Sequence, residues 1–187
     1  MHGMADSCAR SVSGRVRSSL YIPPQNITAN DRMTQILSLL VQVHVYRRNP
    51  DGSYEFLLLQ RADDEPVFPL LWQVVTGYRH EEENASSTAR REVEEETGLR
   101  EGVLHAVPHI ASYYDARLDA ISLVPVFAFE VPPGAAVTLS HEHREFAWLG
   151  YDDAMRRLPI PGQRDGLRIL RTFILDGEAP RDMFRLD

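Results

Sequence analysis

The sequence is poor in cysteine and contains no lysine. Its one cysteine, Cys8, excludes an intramolecular disulfide framework and a zinc cluster built from cysteines. All 20 basic residues are arginine, which we attribute mainly to genomic composition bias, although arginine also pairs bidentately with phosphate. No apolar run approaches the roughly 18 to 20 residues that span a bilayer. We therefore expect a soluble protein of the reducing cytoplasm with no membrane partner.

Positive charge is also in the minority, because 27 acidic residues face 20 basic ones and the formal net charge is −7. This balance argues against a general nucleic-acid-binding surface. With 43% hydrophobic residues, the 187-residue chain can bury the core of one domain. We expect a single domain over residues 33–187. Its oligomeric state is left open, a homodimer included.

Residues 1–32 are rich in serine and arginine, show no sustained periodicity and precede a second candidate start at Met33. We interpret them as a disordered N-terminal extension or an over-long gene start. They lack the apolar core of a secretory signal, and an organellar transit peptide is a further alternative for an arginine-rich, acid-poor segment. Removing residues 1–32 should leave the melting temperature and the activity nearly unchanged, because a disordered extension buries little.

From Ile36 onward the hydrophobic pattern becomes regular. Alternation and β-branched residues predict strands over residues 36–48, 54–60, 72–75, 103–114, 121–131 and 145–149. Helical spacing predicts helices over residues 85–97, 151–158 and 164–175. Mixed strands with helices between them indicate the α/β class and an α/β/α sandwich with a mixed β-sheet.

The most informative stretch is GYRHEEENASSTARREVEEETGL, residues 77–99. It places glycines, glutamates and an arginine at fixed intervals, in the order Gly77, Glu83, Arg91, Glu92, Glu95, Glu96 and Gly98. Asn84 is a good N-cap, and Gly98 can supply the left-handed residue that ends a helix. The pattern therefore predicts a loop, a helix and a tight exit from that helix.

On this helix Glu92, Glu95 and Glu96 fall within an arc of about 100°, while Glu94 points to nearly the opposite side. Like charges at this spacing destabilise a helix, and we expect Arg91 to offset only one of them. A divalent cation with oxygen ligands would remove the repulsion, and Mg²⁺ commonly adds substrate phosphates to one or two carboxylates. We therefore expect exposed metal-binding carboxylates and a polyphosphate substrate. For the string EVEEE alone, a solvated helix face is the alternative interpretation.

The full pattern resembles the signature of the Nudix hydrolase family, G-x5-E-x7-R-E-U-x-E-E-x-G-U with U aliphatic, at every specified position. The resemblance covers residues 36–175 and implies the same α/β/α sandwich. It implies that Glu92, Glu95 and Glu96 hold a catalytic Mg²⁺, with Mn²⁺ as a substitute, and that Glu83 is an accessory acidic residue. It also implies that Arg91 orients the glutamates. We expect Gly77 to let the backbone turn tightly into the site.

A second resemblance narrows the subclass. WQVVTG at residues 72–77, followed by Glu142-His143 and Trp148-Leu149, is similar to the Nudix branch that hydrolyses dATP and dihydroneopterin triphosphate. This likeness implies that Glu142 is a fourth metal ligand or the general base, and a solvated loop carboxylate is the alternative. His141 and His143 flank it, but two histidines alone do not indicate zinc.

Substrate-binding residues are less well defined by the sequence. Gln73 offers donors and acceptors for a base edge, and Arg61 or Arg164 could reach phosphate, although surface placement is equally compatible. Several aromatic residues could stack on a base or a pterin ring, but most are expected in the core: Trp72, Tyr113, Tyr114, Phe127 and Phe129.

The reaction we expect is Mg²⁺-dependent hydrolysis of a nucleoside or pterin triphosphate to pyrophosphate and the monophosphate. Within the family, ADP-ribose, nucleotide sugars, dinucleoside polyphosphates and capped RNA are alternative substrates. A nucleotide-sensing binding module is the alternative that is not an enzyme.

Overall fold

A computed structural model of the protein describes residues 34–177 and 181–186. The predicted N-terminal extension, residues 1–32, lies outside the described residues. None of the helices in the described ranges combines the length and the apolar content that a membrane crossing requires.

The described residues form nine strands and three α-helices. The strands are β1 (Gln35–Leu37), β2 (Leu40–Arg48), β3 (Tyr54–Arg61), β4 (Trp72–Gln73), β5 (Val75–Tyr78), β6 (Val103–Asp115), β7 (Ala120–Val131), β8 (His143–Leu149) and β9 (Arg185–Leu186). The helices are α1 (Ala85–Thr97), α2 (Tyr151–Arg157) and α3 (Pro161–Ile169). A π-helical segment, Leu170–Leu175, continues α3, and a 3-10 turn, Arg181–Phe184, precedes β9.

Strand β2 lies at the centre of one mixed sheet. It pairs in parallel with β7 along one side. Along its other side it pairs antiparallel with β5 near its start and with β3 near its end. Strand β3 also pairs antiparallel with β4 and with β8. Two strands, β5 and β3, therefore share this side of β2. The chain passes from β4, which pairs with β3, to β5, which pairs with β2.

Two hydrophobic cores cover the two faces of the sheet, which accounts for the unbroken burial of β2 from Val41 to Tyr46. On one face, Val41, Val43 and Val45 pack with Ala89 and Val93 of α1. On the other face, Tyr46 packs with residues of α2, α3 and the π-helical segment. These layers confirm the predicted α/β/α sandwich with a mixed sheet.

Two predicted strands are each divided in the structure. Residues 36–48 form β1 and β2, and both pair with β7, but the register changes by one residue between Gln35 opposite Ala120 and Gln42 opposite Val126. Residues 72–75 change partner at Val74, whose N–H donates to Gln163 Oε1 at 3.2 Å. Hydrophobic periodicity reports which residues are buried but not which strand lies beside them.

The last helix also differs from the predicted range of 164–175. It begins three residues earlier, because Pro161 occupies the first turn, where its missing N–H costs nothing. It then widens into the π-helical segment. Hydrogen bonding between residues five apart brings Leu170 and Leu175 towards one face, and both side chains are buried.

Candidate active site

Helix α1 has the predicted limits and caps. Asn84 Oδ1 accepts a hydrogen bond from the Ser87 N–H at 2.9 Å. Gly98 adopts φ 71°, and its N–H donates to Glu94 O at 2.8 Å. These caps satisfy backbone groups that a helix leaves unpaired at its ends, and they fix where the glutamates of α1 are presented.

Arg91 organises the acidic residues around it with all five of its N–H donors. Its Nε and Nη2 donate to the two carboxylate oxygens of Glu83 at 2.8 and 2.9 Å. Its Nη1 donates to Glu92 at 2.7 Å and to Glu95 at 3.0 Å, and Nη2 also donates to Tyr78 O at 2.9 Å. The expectation that Arg91 offsets only one carboxylate is therefore wrong. With no donor left for a substrate, Arg91 is placed to position the glutamates.

Gly77 serves a different purpose from the one expected. It lies within β5 and is not among the glycines with positive φ, so no tight turn occurs there. A Cβ atom at this position would lie 1.8 Å from Glu92 Cδ. A side chain at this position would have to displace the Glu92 side chain, because β5 and Glu92 approach each other closely, and the predicted tight turn at Gly77 is corrected accordingly.

The three helix carboxylates differ in exposure, and the expectation that all are exposed is wrong. The exposed fraction of the side chain is 58% for Glu95, 12% for Glu92 and 5% for Glu96. Burial, together with the charges of Glu95 and Glu142, raises the pKa of Glu92 to about 7 despite its contact with Arg91. Burial and the charges of Glu92 and Glu142 raise the pKa of Glu96 well above its usual range.

Glu142 comes from a distant part of the chain to this cluster. The Ser140 N–H donates to Glu96 O at 3.2 Å, which joins the segment before Glu142 to the end of α1. The Ala62 N–H donates to Glu142 O at 2.8 Å, which joins the same segment to the end of β3. Glu142 is half-buried, and its charge acts on both Glu92 and Glu96. The structure thus brings Glu142 to the motif, as the second resemblance implied.

His143, which the second resemblance included beside Glu142, is a neighbour of Glu96. Its Nε2 lies 3.8 Å from Glu96 Oε2 and 3.3 Å from Gln73 Nε2. Burial, with the charges of Arg61 and His141, lowers the pKa of His143 to about 4, so the ring is neutral at pH 7. Gln73 is buried against this ring, a placement that does not support its predicted contact with a base edge.

Arg61 is the candidate phosphate ligand that the structure places beside the carboxylates. Its positive charge acts on both neighbours: it helps to lower the pKa of His143, and it partly offsets the rise in the pKa of Glu96. Its Nη2 forms an ion pair with Glu65 at 2.5 Å, and its Nε is buried without a hydrogen-bond partner. A phosphate oxygen is a suitable acceptor for that unpaired donor.

The other substrate-binding candidates have roles in packing. Trp72 packs against the hydrophobic core, and the guanidinium of Arg157, the last residue of α2, lies 4.6 Å from the centre of its ring. Arg164 Nε donates to Leu158 O at 2.8 Å. Among the other aromatic candidates, Phe127 and Phe129 are buried in the core. Tyr113 and Tyr114 are exposed.

The carboxylates suit a divalent cation in their chemistry. Glu96 Oε2 is buried without a hydrogen-bond partner, and Glu92, Glu96 and Glu142 repel one another. Oxygen donors of this charge are the ligands that Mg²⁺ prefers. Within residues 34–177 and 181–186, however, no three acidic, histidine or cysteine side chains are already arranged to hold a metal ion. The donor set fits a cation, although its present arrangement is not a preformed cage.

The layered fold and the glutamate helix agree with a known family. A family model, the NUDIX domain, matches residues 39–173. The chain belongs to the Nudix family, which confirms the resemblance found in the motif and the prediction of a Nudix hydrolase. Nudix hydrolases generally use a divalent metal ion.

Two related proteins and one solved structure are similar to this chain. An octanoyltransferase of Myxococcus xanthus is 35% identical over 122 residues, which cover 65% of this chain but only 33% of that protein. The nucleoside triphosphatase NudI of Escherichia coli K12 is 29% identical over 110 residues, which cover 55% of this chain and 77% of NudI. The structure of the E. coli dihydroneopterin triphosphate pyrophosphohydrolase aligns with a TM-score of 0.60 at 22% identity, covering 75% of this chain and 99% of that one. The last comparison shows a shared fold.

Proposed function

We propose that the protein hydrolyses a phosphoanhydride bond in a nucleoside or pterin triphosphate and releases pyrophosphate and the monophosphate. The observation that carries this proposal is the carboxylate cluster of Glu92, Glu96 and Glu142 beside an arginine with an unpaired donor, Arg61. NudI is named as a nucleoside triphosphatase, which supports the substrate class. The similarity of fold to a dihydroneopterin triphosphate pyrophosphohydrolase supports it further.

The acidic residues divide into metal ligands and a proton acceptor. Glu92, Glu95 and Glu96 would hold Mg²⁺, or Mn²⁺ in its place, and Glu142 would accept the proton. The bound ion would neutralise charge on the phosphate oxygens and lower the pKa of a water molecule. Arg91 keeps Glu92 and Glu95 in position through its hydrogen bonds.

Water is the nucleophile in the proposed reaction. Its oxygen attacks phosphorus while the bond to the leaving pyrophosphate breaks, and its proton passes to the Glu142 carboxylate. Glu142 is half-buried and is not among the carboxylates paired with Arg91, whereas Glu92 and Glu95 are so paired. Arg61 would donate its unpaired Nε–H to a phosphate oxygen and hold the polyphosphate against the cluster.

A substrate panel assayed with Mg²⁺ tests the reaction. The panel contains the deoxynucleoside triphosphates, dihydroneopterin triphosphate, ADP-ribose and dinucleoside polyphosphates, with pyrophosphate, phosphate and monophosphates as readouts. We expect the fastest turnover, with pyrophosphate release, from a triphosphate. Faster turnover of ADP-ribose or a dinucleoside polyphosphate would assign a different substrate class, and tight binding without turnover would identify a sensor.

Substitutions on α1 test which residues act. Glu95→Gln and Glu96→Gln should each lower kcat by several orders of magnitude, because each removes a proposed metal ligand. The melting temperature of metal-free Glu96→Gln should not fall, since a neutral amide replaces a repelled carboxylate of similar volume. Glu94→Gln is the matched control, because Glu94 lies on the same helix but pairs with Arg100 at 2.9 Å. Activity like that of the wild type in Glu96→Gln at saturating Mg²⁺ would contradict the assignment.

A further inference from the structure

The loop between β3 and β4, residues 62–71, contains an unusual backbone. Phe68 and Leu70 adopt φ angles of 50° and 62°, in the left-handed region that bulky side chains rarely occupy. Pro69 lies between them and restricts Phe68 further. Such conformations persist only where the surrounding structure enforces them, and they cluster at sites that bind ligands.

Hydrogen bonds at the base of this loop hold it closed. The Arg61 N–H donates to Leu71 O at 3.0 Å, and Gln60 Nε2 donates to Leu70 O at 3.0 Å. The Leu71 N–H donates to Phe68 O at 3.3 Å, which fixes the turn itself. The tip is nevertheless exposed, because Phe68 keeps 64% of its surface accessible. The loop therefore presents a phenyl ring on a fixed backbone.

The same loop begins at the carboxylate cluster. Its first residue, Ala62, donates its N–H to Glu142 O at 2.8 Å, and Arg61 pairs with His143 across β3 and β8. Glu65 within the loop holds the Arg61 guanidinium by an ion pair of 2.5 Å. Arg61 thus lies close enough to Glu96 for its charge to act on that carboxylate, while its guanidinium is bound by Glu65 of the loop. Leu71, the backbone partner of Arg61, also closes the turn at Phe68, so the backbone of the tip lies one turn away from Arg61.

We propose that Phe68 stacks on the planar ring of the substrate, a nucleobase or a pterin, while Arg61 at the base of the same loop binds the phosphate chain. This proposal rests on the proposed function and specifies how that site selects a substrate that carries an aromatic ring. Offset stacking on a phenyl ring suits any planar heterocycle, and every base has a face available for it. Because the loop is already fixed, little freedom is lost when the ring binds.

Four variants test the stacking role, each assayed with the panel substrate that the wild-type protein hydrolyses fastest. Phe68→Ala and Phe68→Leu should raise KM about tenfold with kcat within about twofold, because stacking on one side chain is lost while the carboxylates are intact. Phe68→Trp should keep KM near the wild-type value. Phe173→Ala is the matched control, since Phe173 is also exposed, at 54%, but belongs to the π-helical segment.

A ligand without a ring separates stacking from a general disturbance of the loop. The inhibition constant of inorganic pyrophosphate should be the same in Phe68→Ala and wild type. A KM unchanged by Phe68→Ala, or a matching loss of affinity for pyrophosphate, would overturn the proposal. A change in the sedimentation mass of Phe68→Ala with unchanged KM would also overturn it, by assigning the tip to a protein contact. If the wild-type protein hydrolyses no panel substrate, the proposed function itself fails, an outcome distinct from these.

Discussion

Glu142 illustrates how one residue acquires a role from its neighbours. The sequence placed it in a loop, where a solvated carboxylate is the usual interpretation. In the structure, hydrogen bonds of Ser140 and of Ala62 hold its segment between α1 and β3. Glu92 and Glu95 are tied to Arg91 and Glu96 is buried, so Glu142 combines partial exposure with proximity to the cluster. These properties suit a group that accepts a proton from water.

Glu142→Gln should therefore lower kcat strongly, by about 10² to 10⁴-fold, while it changes KM only modestly. The helix glutamates and Arg61 would still bind the metal and the polyphosphate. Loss of a general base should also remove or shift the acidic limb of the plot of kcat/KM against pH. Glu145→Gln serves as the control, because Glu145 is an exposed glutamate on β8, three residues after Glu142. An unchanged rate and acidic limb in Glu142→Gln would return the proton-accepting role to Glu92, Glu95 or Glu96.

At the scale of elements, the contact between β5 and α1 determines where the catalytic helix lies. Gly77 of β5 touches the Glu92 side chain of α1, and Arg91 of α1 binds the carbonyl of Tyr78, the next residue of β5. Strand β5 therefore makes two contacts with α1: Gly77 leaves room for the Glu92 side chain, and the Tyr78 carbonyl accepts a hydrogen bond from Arg91. The glutamates depend on β5 for their orientation as much as on the helix.

Gly77→Ala should destabilise the protein by roughly 1–3 kcal/mol and reduce turnover, because the new methyl group must displace Glu92 or the whole helix. Thermal unfolding and kcat measure the two effects. Gly150→Ala is the control, since a Cβ atom at Gly150 meets no atom within 4 Å. The double variant Gly77→Ala with Glu92→Ala should recover much of the lost stability without recovering activity. If it is no more stable than Gly77→Ala alone, Glu92 is not the group that excludes a side chain.

The same elements show what the sequence can and cannot predict. The limits of α1 follow from local signals, Asn84 and Gly98, and the structure agrees with them. The break after Leu37 was missed, because it arises from a change of register against β7, a partner remote in sequence. His143 and Arg61 come together because β3 pairs with β8. Local patterns therefore predicted helix α1 and the glutamates that it presents. Pairing between distant strands determined which other residues lie beside those glutamates.

At the scale of the whole molecule, the acidic cluster of Glu92, Glu96 and Glu142 makes the stability of the protein depend on pH. The Glu92 and Glu96 carboxylates are out of water and close to Glu142, so ionising them in the folded protein costs free energy. Between pH 6.5 and 8.5 the buried His44 and His143 act in the opposite direction, since burial lowers the pKa of His44 to about 3 and that of His143 to about 4, and the unfolded chain still releases histidine protons just above its pKa of about 6.5. Glutamate in the unfolded chain is fully ionised in that range, because its pKa is near 4.3. The fall in stability expected across this window therefore comes from the two carboxylates, and it is measured against a variant that lacks both.

The metal-free protein should lose stability as pH rises from 6.5 to 8.5. Because the pKa of Glu92 is raised to about 7, the folded state holds a proton that the unfolded state has already released, and this advantage disappears as pH passes 7. Glu92 alone contributes on the order of 1 kcal/mol over this window, and Glu96 acts in the same direction. Melting temperatures measured in EDTA should fall across the window in the wild type and in Glu94→Gln, but much less in the double variant Glu92→Gln, Glu96→Gln. Saturating Mg²⁺ should flatten or reverse the fall, because the metal binds deprotonated carboxylates and stabilises the folded state more as pH increases. A wild-type profile in EDTA as flat as that of the double variant would show that these carboxylates are not held apart from water, and would remove the electrostatic argument for a cation at this site.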